Sequence, residues 1–278
     1  MNQLPDEGPD RRPPVVLYAD LDGTLLGPGG SLYRAIPEGI TRRGADAVAT
    51  LHEAGVQLVL ASGRNREQMQ EAARILSAQA YLAELGAFLV ERGDPDVIVP
   101  NVGRFTGPGT PFEAMVRSGA GAYLLERYAG RLELHTPWAS QGREATMVFR
   151  GKVDPVEATN ALADSAYRWL ALLDNGVIRR TYPGLDVPEV HAYHLAPLGV
   201  SKATGVRVHR ERHGIDRREA VLVGDSPSDL GAAAEVRSVF LVANGAGAIE
   251  GASRPGNVYL ARSPGGEGFA EVVDGLLG

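Results

Sequence analysis

Val15-Val16-Leu17-Tyr18-Ala19-Asp20-Leu21-Asp22-Gly23-Thr24 sets an unbroken apolar run directly before two carboxylates and a turn. A short continuous apolar run closed by turn formers reads as a strand buried on both faces. Carboxylates two residues apart share one face of such a strand. Where the backbone turns at Gly23, they can instead diverge around a common point. One is then free to act as nucleophile or metal ligand while the other handles a proton. Asp, Gly and Thr are also ordinary company where a strand enters a turn, so the reading depends on partners downstream.

Working outward, residues 38–54 read as a helix closed by Gly55, 56–61 as a second buried strand, 66–80 as a helix and 81–85 as a third strand. This βαβαβ order predicts a parallel sheet with helices on its faces. The last third repeats the pattern: a helix over 201–213 ending at Gly214, a strand over 221–223, a helix over 227–236, strands over 239–242 and 258–261, and a closing helix over 268–277. The middle differs. Turn formers from Gly93-Asp94-Pro95 to Gly107-Pro108-Gly109 mark a boundary. Beyond it the expected order is helix 111–128, strands 131–136 and 145–150, helix 155–173 and strands 177–182 and 190–195. An αββαββ order predicts an α+β unit inserted into the α/β one. The expected division is a lead-in over 1–14, disordered on its proline-rich polar composition, a core over 15–88 and 196–278, and an insert over 89–195.

The chain has 278 residues, 44% apolar and 22% charged, with a net charge of −6. Those values are those of a globular protein with a substantial core, and they give no support for a nucleic-acid or membrane surface. No cysteine is present, which rules out disulfides, thiolate metal sites and cysteine nucleophiles and fits a cytoplasmic setting. No signal-peptide pattern opens the chain, and the apolar runs are too short to span a bilayer. Arginine greatly outnumbers lysine, and only Lys152 and Lys202 occur. A retained lysine in an arginine-rich chain points to a crowded charge cluster that suits a compact ammonium rather than a planar guanidinium.

Partners for Asp20 and Asp22 do follow, each at a strand end. Ser62-Gly63-Arg64 closes the second strand just before a helix, where a hydroxyl, backbone N–H groups and a helix N-terminus together hold a phosphate. Gly224-Asp225-Ser226-Pro227-Ser228-Asp229 puts two more carboxylates at another strand end. Lys202 opens a helix, an unfavourable place for a cation on dipole grounds, which argues for a local reason. Strand carboxyl ends in a parallel sheet lie on one edge, so these groups are expected to converge there. Crowded carboxylates require positive charge among them, and a hard, oxygen-liganded cation such as Mg²⁺ suits the set.

On Asp20-Leu-Asp22-Gly-Thr24, Ser62, Lys202 and Gly224-Asp225-Ser-Pro-Ser-Asp229, the chain resembles the haloacid dehalogenase-like phosphohydrolase superfamily. The position of the insert, between Ser62 and Lys202, resembles the branch holding the Cof-type, sucrose-phosphate, mannosyl-3-phosphoglycerate and archaeal phosphoglycolate phosphatases. The resemblance implies a Rossmann-like core with an inserted cap. It implies a Mg²⁺-dependent phosphatase acting on a small phosphate ester, with a sugar phosphate or phosphorylated sugar acid as the leaning. Asp20 would be the nucleophile and Asp22 the general acid and base. Thr24, Ser62, Gly63 and Lys202 would bind the phosphoryl group, and Asp20, Asp22 (through its carbonyl), Asp225 and Asp229 the metal. Arg64, His194 and Asn244 are candidate substrate contacts. A phosphotransferase or mutase, or a degenerate binding protein, are the competing readings. Two positions depart from the branch: Leu85 stands where asparagine is usual, and Ser228 where asparagine is frequent.

Other features carry weaker expectations. His209 and His213, four apart on a helix, read as a polar surface pair rather than a metal site, and Lys152 as no Schiff-base former. His191 and His194 share a strand before Lys202, with His194 facing the substrate from the hinge as the functional option. Arg104, Arg117, Arg143, Arg179 and Arg180 are read as mostly solvated, and Trp138 and Trp169 as packing or surface residues.

Overall fold

The computed structural model describes residues 13–178, 180–249 and 255–278. The expected lead-in therefore falls almost wholly outside the described residues, as does Arg179. Strands β1 (Val16–Ala19), β2 (Gln57–Ala61) and β3 (Ala80–Ala83) alternate with helices α1 (Arg43–Glu53) and α2 (Arg66–Ile75). Strands β4 (Phe88–Glu91) and β5 (Val97–Pro100) follow as a hairpin. Next come α3 (Pro111–Ser118), α4 (Ala120–Arg127), β6 (Leu132–Leu134), β7 (Met147–Gly151), α5 (Pro155–Ala163), β8 (Leu170–Ile178) and β9 (Val190–Pro197). The chain closes with α6 (Lys202–His213), β10 (Ala220–Gly224), α7 (Pro227–Leu230), β11 (Ser238–Leu241), β12 (Val258–Leu260) and α8 (Gly265–Leu277).

Two sheets result. The larger has the order β12-β11-β10-β1-β2-β3-β4-β5, and the smaller β6-β7-β9-β8. From β12 to β3 every pairing is parallel; β4 and β5 add antiparallel to that edge. The large sheet carries an apolar layer on each face, as the unbroken hydrophobic strands require. Leu17, Leu58 and Val221 pack with Leu51, Met69 and Phe269 on one face, and Val16, Tyr18, Val59 and Leu222 with Val206 on the other. A third cluster, including Met115, Leu124, Phe149, Leu162, Tyr193 and Leu195, covers the small sheet.

The structure corrects several expected bounds. Residues 88–100 join the large sheet, so the expected boundary at 88/89 falls inside β4. The turn formers at 93–95 close a hairpin instead of ending the unit. At the other side β9 runs to Pro197, past the expected boundary at 195/196. Helix 155–173 stops at Ala163, and Leu170 already starts β8. An apolar run such as Leu170-Ala171-Leu172-Leu173 satisfies helix and buried-strand patterns alike. The expected helix 111–128 is two helices, broken where Gly119 takes φ +77°. The strand expected over 177–182 ends at Ile178.

The chain leaves the large sheet after β5 and returns after β9 through one narrow crossing. Arg104 N–H donates to Leu198 C=O at 2.8 Å. A Cβ on Gly103, whose φ is +58°, would stand 2.2 Å from the Leu198 carbonyl oxygen. Among the described residues no helix is long and apolar enough to cross a membrane.

Candidate active site

β1 lies between β10 and β2, parallel to both, so the chain leaves all three strands at the same sheet edge. Asp20 N–H donates to Val223 C=O at 2.9 Å, which docks the turn after β1 against β10. Gly23 has φ +88°, and a Cβ there would meet Asp225 Oδ2 at 2.2 Å. Only glycine allows both that conformation and that approach.

Lys202 opens α6, whose N-cap Ser201 accepts from Thr204 N–H and whose C-cap Gly214 is left-handed. The cap fixes the helix start and so aims the lysine. Its Nζ donates to Asp20 Oδ1 at 2.6 Å and to Asp229 Oδ1 at 2.7 Å, with the lysine 1% exposed. The crowded cluster predicted for this lysine is present. Burial by itself would lower the Lys202 pKa, but Asp20 and Asp229 outweigh it and raise it.

Asp229 is spent on structure. Its Oδ2 accepts from the backbone N–H of Asp225 (3.2 Å) and Ser226 (3.1 Å) and from Ser226 Oγ at 2.6 Å. It holds Lys202 and closes the acidic loop. Asp225 is different: its side chain is contacted by Asn244 Nδ2 at 3.0 Å and, among the described residues, by no cation. One oxygen each from Asp20, Asp225 and Asp229 lies within 4.8 Å of the others. Burial pushes Asp20 up to about 7, with Asp229 and Asp22 adding to it against Lys202. Burial, then Asp20 and Asp229, raises Asp225 well above the carboxylate range. A cluster whose acids resist ionising while holding a single ammonium lacks positive charge, and hard oxygen donors in this arrangement fit a divalent cation.

Asp22 sits on the exposed side of the turn. Arg64 grips it through both oxygens, Nε to Oδ2 at 2.7 Å and Nη2 to Oδ1 at 2.6 Å. The sequence places both residues at the site, but it does not show that they hold each other. Ser62 is 3% exposed, and its Oγ accepts from Arg64 N–H at 3.3 Å. Thr24 is fully buried, and its hydroxyl has no hydrogen-bond partner among the described residues.

Asn244, expected as a substrate contact, is instead a strut. Its Nδ2 donates to Gly23 C=O and Asp225 Oδ2, both at 3.0 Å, and its Oδ1 accepts from Gly265 N–H at 2.9 Å. That uses its hydrogen-bonding capacity on the acidic loop and α8. His194 is 2% exposed, packed from β9 onto Gly63, with Nδ1 3.2 Å from Thr146 Oγ1. Burial, then Arg143, lowers its pKa well below the usual imidazole value.

Three groups of the site carry no signal in the sequence. Glu84, fully buried, accepts from the N–H groups of Glu144, Ala145 and Thr146 and so clasps the small-sheet unit to the large sheet. Glu84 and Leu85 both have positive φ, 49° and 58°, a strained turn for residues with side chains. Asn175 of β8 accepts from Ser228 Oγ at 3.1 Å. Arg143, expected to be solvated, is 9% exposed and donates to Gly63 C=O at 2.6 Å. Elsewhere, the expected surface pair is half interior: His209 is fully buried and bonds the Tyr18 hydroxyl at 2.7 Å, whereas the exposed His213 bonds Glu91 at 3.0 Å.

The sequence profile of the haloacid dehalogenase-like hydrolases matches residues 17–95. A phosphoglycolate phosphatase from Methanothrix thermoacetophila is 36% identical over 83 residues, 30% of this chain and 36% of that protein. One from Methanospirillum hungatei is 26% identical over 262 residues, 92% of this chain and 94% of that protein. Among solved structures, a phosphatase of the haloalkanoate superfamily from Bacteroides thetaiotaomicron superposes with TM-score 0.62 at 17% identity, covering 98% of this chain and 97% of that one. The sucrose-phosphatase from Synechocystis sp. PCC6803, solved with sucrose and phosphate, gives TM-score 0.60 at 14% identity, covering 94% and 97%. Profile, relatives and fold agree with the edge on which Asp20, Lys202 and Asp225 meet, and over residues 17–95 the chain is similar to the haloacid dehalogenase-like hydrolases.

Proposed function

We propose that the protein is a Mg²⁺-dependent phosphatase that hydrolyses small phosphate monoesters through a phosphorylated Asp20. One observation carries the reading: Lys202 holds Asp20 Oδ1 at 2.6 Å and leaves Oδ2 without a hydrogen-bond partner among the described residues, turned loose at the ligand-binding edge of the sheet. An oriented carboxylate with one oxygen neutralised and the other free is the arrangement a nucleophile needs. Phosphatase names among the relatives support the same chemistry.

Asp20 Oδ2 attacks phosphorus, and the ester P–O bond breaks as Asp22 gives a proton to the departing oxygen. Asp22 then takes a proton from water as that water attacks phosphorus and frees Asp20. A carboxylate gripped through both oxygens cannot hand over a proton, so Arg64 moves aside in this step. Ser62 Oγ, the N–H groups that follow it and Lys202 hold phosphoryl oxygens in line. Asp20, Asp225 and the Asp22 carbonyl would hold Mg²⁺, with Asp229 acting through Lys202 and the loop. When bound, Mg²⁺ neutralises charge on the phosphoryl oxygens and the carboxylates.

Phosphate release from p-nitrophenyl phosphate tests this directly. The expected result is Mg²⁺-dependent turnover that a chelator stops and that Asp20→Asn lowers by about 10³-fold or more. Pure, Mg²⁺-supplied protein that releases phosphate from no ester would remove the proposal.

A further inference from the structure

A cleft of 480 Å³ opens where helix α2, the 142–144 loop of the small-sheet unit and the antiparallel edge of the large sheet meet. It shares no residue with the acidic cluster, and its size is that of a small-molecule site. Its floor follows from strand register. Tyr81 of β3 pairs with Val90 of β4, and Val90 with Ile98 of β5, so the three side chains form one cross-strand row about 10 Å long. Around this floor α2 contributes Arg66 and Glu67, the loop contributes Arg143 and Glu144, and the chain entering β5 contributes Asp96.

The floor holds one polar atom without a partner. Tyr81 is 3% exposed, and its hydroxyl makes no hydrogen bond among the described residues. Whatever fills the cleft is all that this hydroxyl can bond. Burial, then Asp96, raises its pKa, so it stays a neutral phenol whose oxygen can accept a hydrogen.

The surrounding charges sort into compensated and uncompensated. Arg66 Nε donates to Glu144 Oε1 at 2.7 Å. Arg143 and the buried Glu84 share Thr146 Oγ1, at 3.5 Å and 2.8 Å, so that cation too has its counter-charge at hand. Glu67 and Asp96 have none: among the described residues no cation meets either carboxylate. Asp96 Oδ1 accepts from Gly93 N–H at 2.9 Å, a bond within its own turn. The unspent charge of the cleft is therefore negative, and an anion is disfavoured there. A bare metal ion would leave the apolar row uncovered. An aliphatic ammonium suits every part, with N–H donors for carboxylate and phenol oxygens and methylenes for Val90, Ile98 and the Tyr81 ring.

We propose that this cleft binds an aliphatic diamine: Asp96 and the Tyr81 hydroxyl hold one ammonium, Glu67 holds the other, and the stem lies along the Tyr81–Val90–Ile98 row. The site lies beyond the phosphatase reading and does not rest on it.

Calorimetric titration of the full-length protein with 1,5-diaminopentane tests the site, with Mg²⁺ present so that the amine does not compete for the acidic cluster. The expected result is one diamine bound per chain, more tightly than pentylamine, with no binding of pentanoate at the same concentration. Asp96→Asn, which keeps the oxygen that Gly93 needs, weakens binding about tenfold, and Tyr81→Phe about fivefold. The phenylalanine removes only an oxygen that no protein group uses, so its effect reports the ligand rather than the fold. Glu67→Gln costs about threefold and erases the advantage of the diamine over pentylamine. Ile98→Lys, at a position 47% exposed, tethers an ammonium over the floor and abolishes binding. Binding that survives Asp96→Asn, Tyr81→Phe and Ile98→Lys alike, or that is lost in Asp225→Asn instead, overturns the proposal. Equal binding of pentanoate, or no binding of the diamine at millimolar concentration, overturns it as well.

Discussion

Lys202 and Lys152 each hold a carboxylate at hydrogen-bond distance, 2.6 Å to Asp20 and 2.8 Å to Glu189. Each also touches a second polar group, Asp229 at 2.7 Å and His191 Nε2 at 2.7 Å. The distances barely differ, but the surroundings do: the Lys202 side chain is 1% exposed and that of Lys152 41%. Near Lys152 water stands ready to replace any partner that leaves, so the pair contributes little. At Lys202 nothing can replace the ammonium, and its loss would leave two buried carboxylates facing each other. Burial, rather than contact geometry, separates a working centre from a surface cluster built of the same residue types.

The sharpest way to break this contrast is Lys202→Met. It should cost about 3–5 kcal/mol of stability, the usual result of stripping one member from a buried ion cluster, and lower phosphate release at least about a hundredfold. Denaturant melts and turnover measured side by side check both. Lys202→Arg should regain little, since a planar guanidinium does not fit where one ammonium sits between two carboxylates. Full activity in either variant would erase the distinction between the two lysines.

A smaller effect should appear in the pH dependence of the outer cluster. Burial by itself would lower the His191 pKa, but Asp174 and Glu189 outweigh it and raise it above 6.5. A raised folded pKa means that the folded state binds the proton more tightly. The stabilisation is therefore complete below the unfolded value and fades as pH rises through the folded one. Between about pH 6 and 8 the loss should stay below about 1 kcal/mol, because Lys152 and Glu189, which complete the cluster, are 41% and 48% exposed. Both tryptophans, Trp138 and Trp169, lie between α4 and β8, so urea melts followed by their fluorescence report on this part of the chain. His191→Gln should flatten the curve, and a loss that instead grows toward low pH would reverse the assignment. Smallest of all, Lys152→Met should shift the same melts by less than about 1 kcal/mol.

How much of this was legible beforehand follows the range of the interactions involved. Asp20, Ser62 and Asp225 end strands whose hydrophobic runs are local signals, and parallel pairing then brings their ends together without further information. Lys202 announced itself by rarity. The grip of Arg64 on Asp22, the strut role of Asn244 and the clasp by Glu84 depend on side-chain directions across long sequence separations, which no periodicity encodes. The hairpin over 88–100 was misplaced because Gly93 and Pro95 serve a tight turn and a unit boundary equally well. Asn175 lay between the expected helix 155–173 and the expected strand 177–182, and only the reach of β8 over the acidic loop gives it a partner.

The crossing at Gly103 and Leu198 has a mechanical consequence. A strip of backbone that enters and leaves side by side, tied by one short hydrogen bond, resists stretching but offers little torsional stiffness. Rotation about that strip would swing the small sheet as one arm against the large sheet only once the Glu84 clasp and the Arg143 bond to Gly63 let go. On the proposed reading, bond breaking belongs to the fixed arm alone. The strands of the moving arm can be recut for another leaving group without disturbing the atoms that do the chemistry.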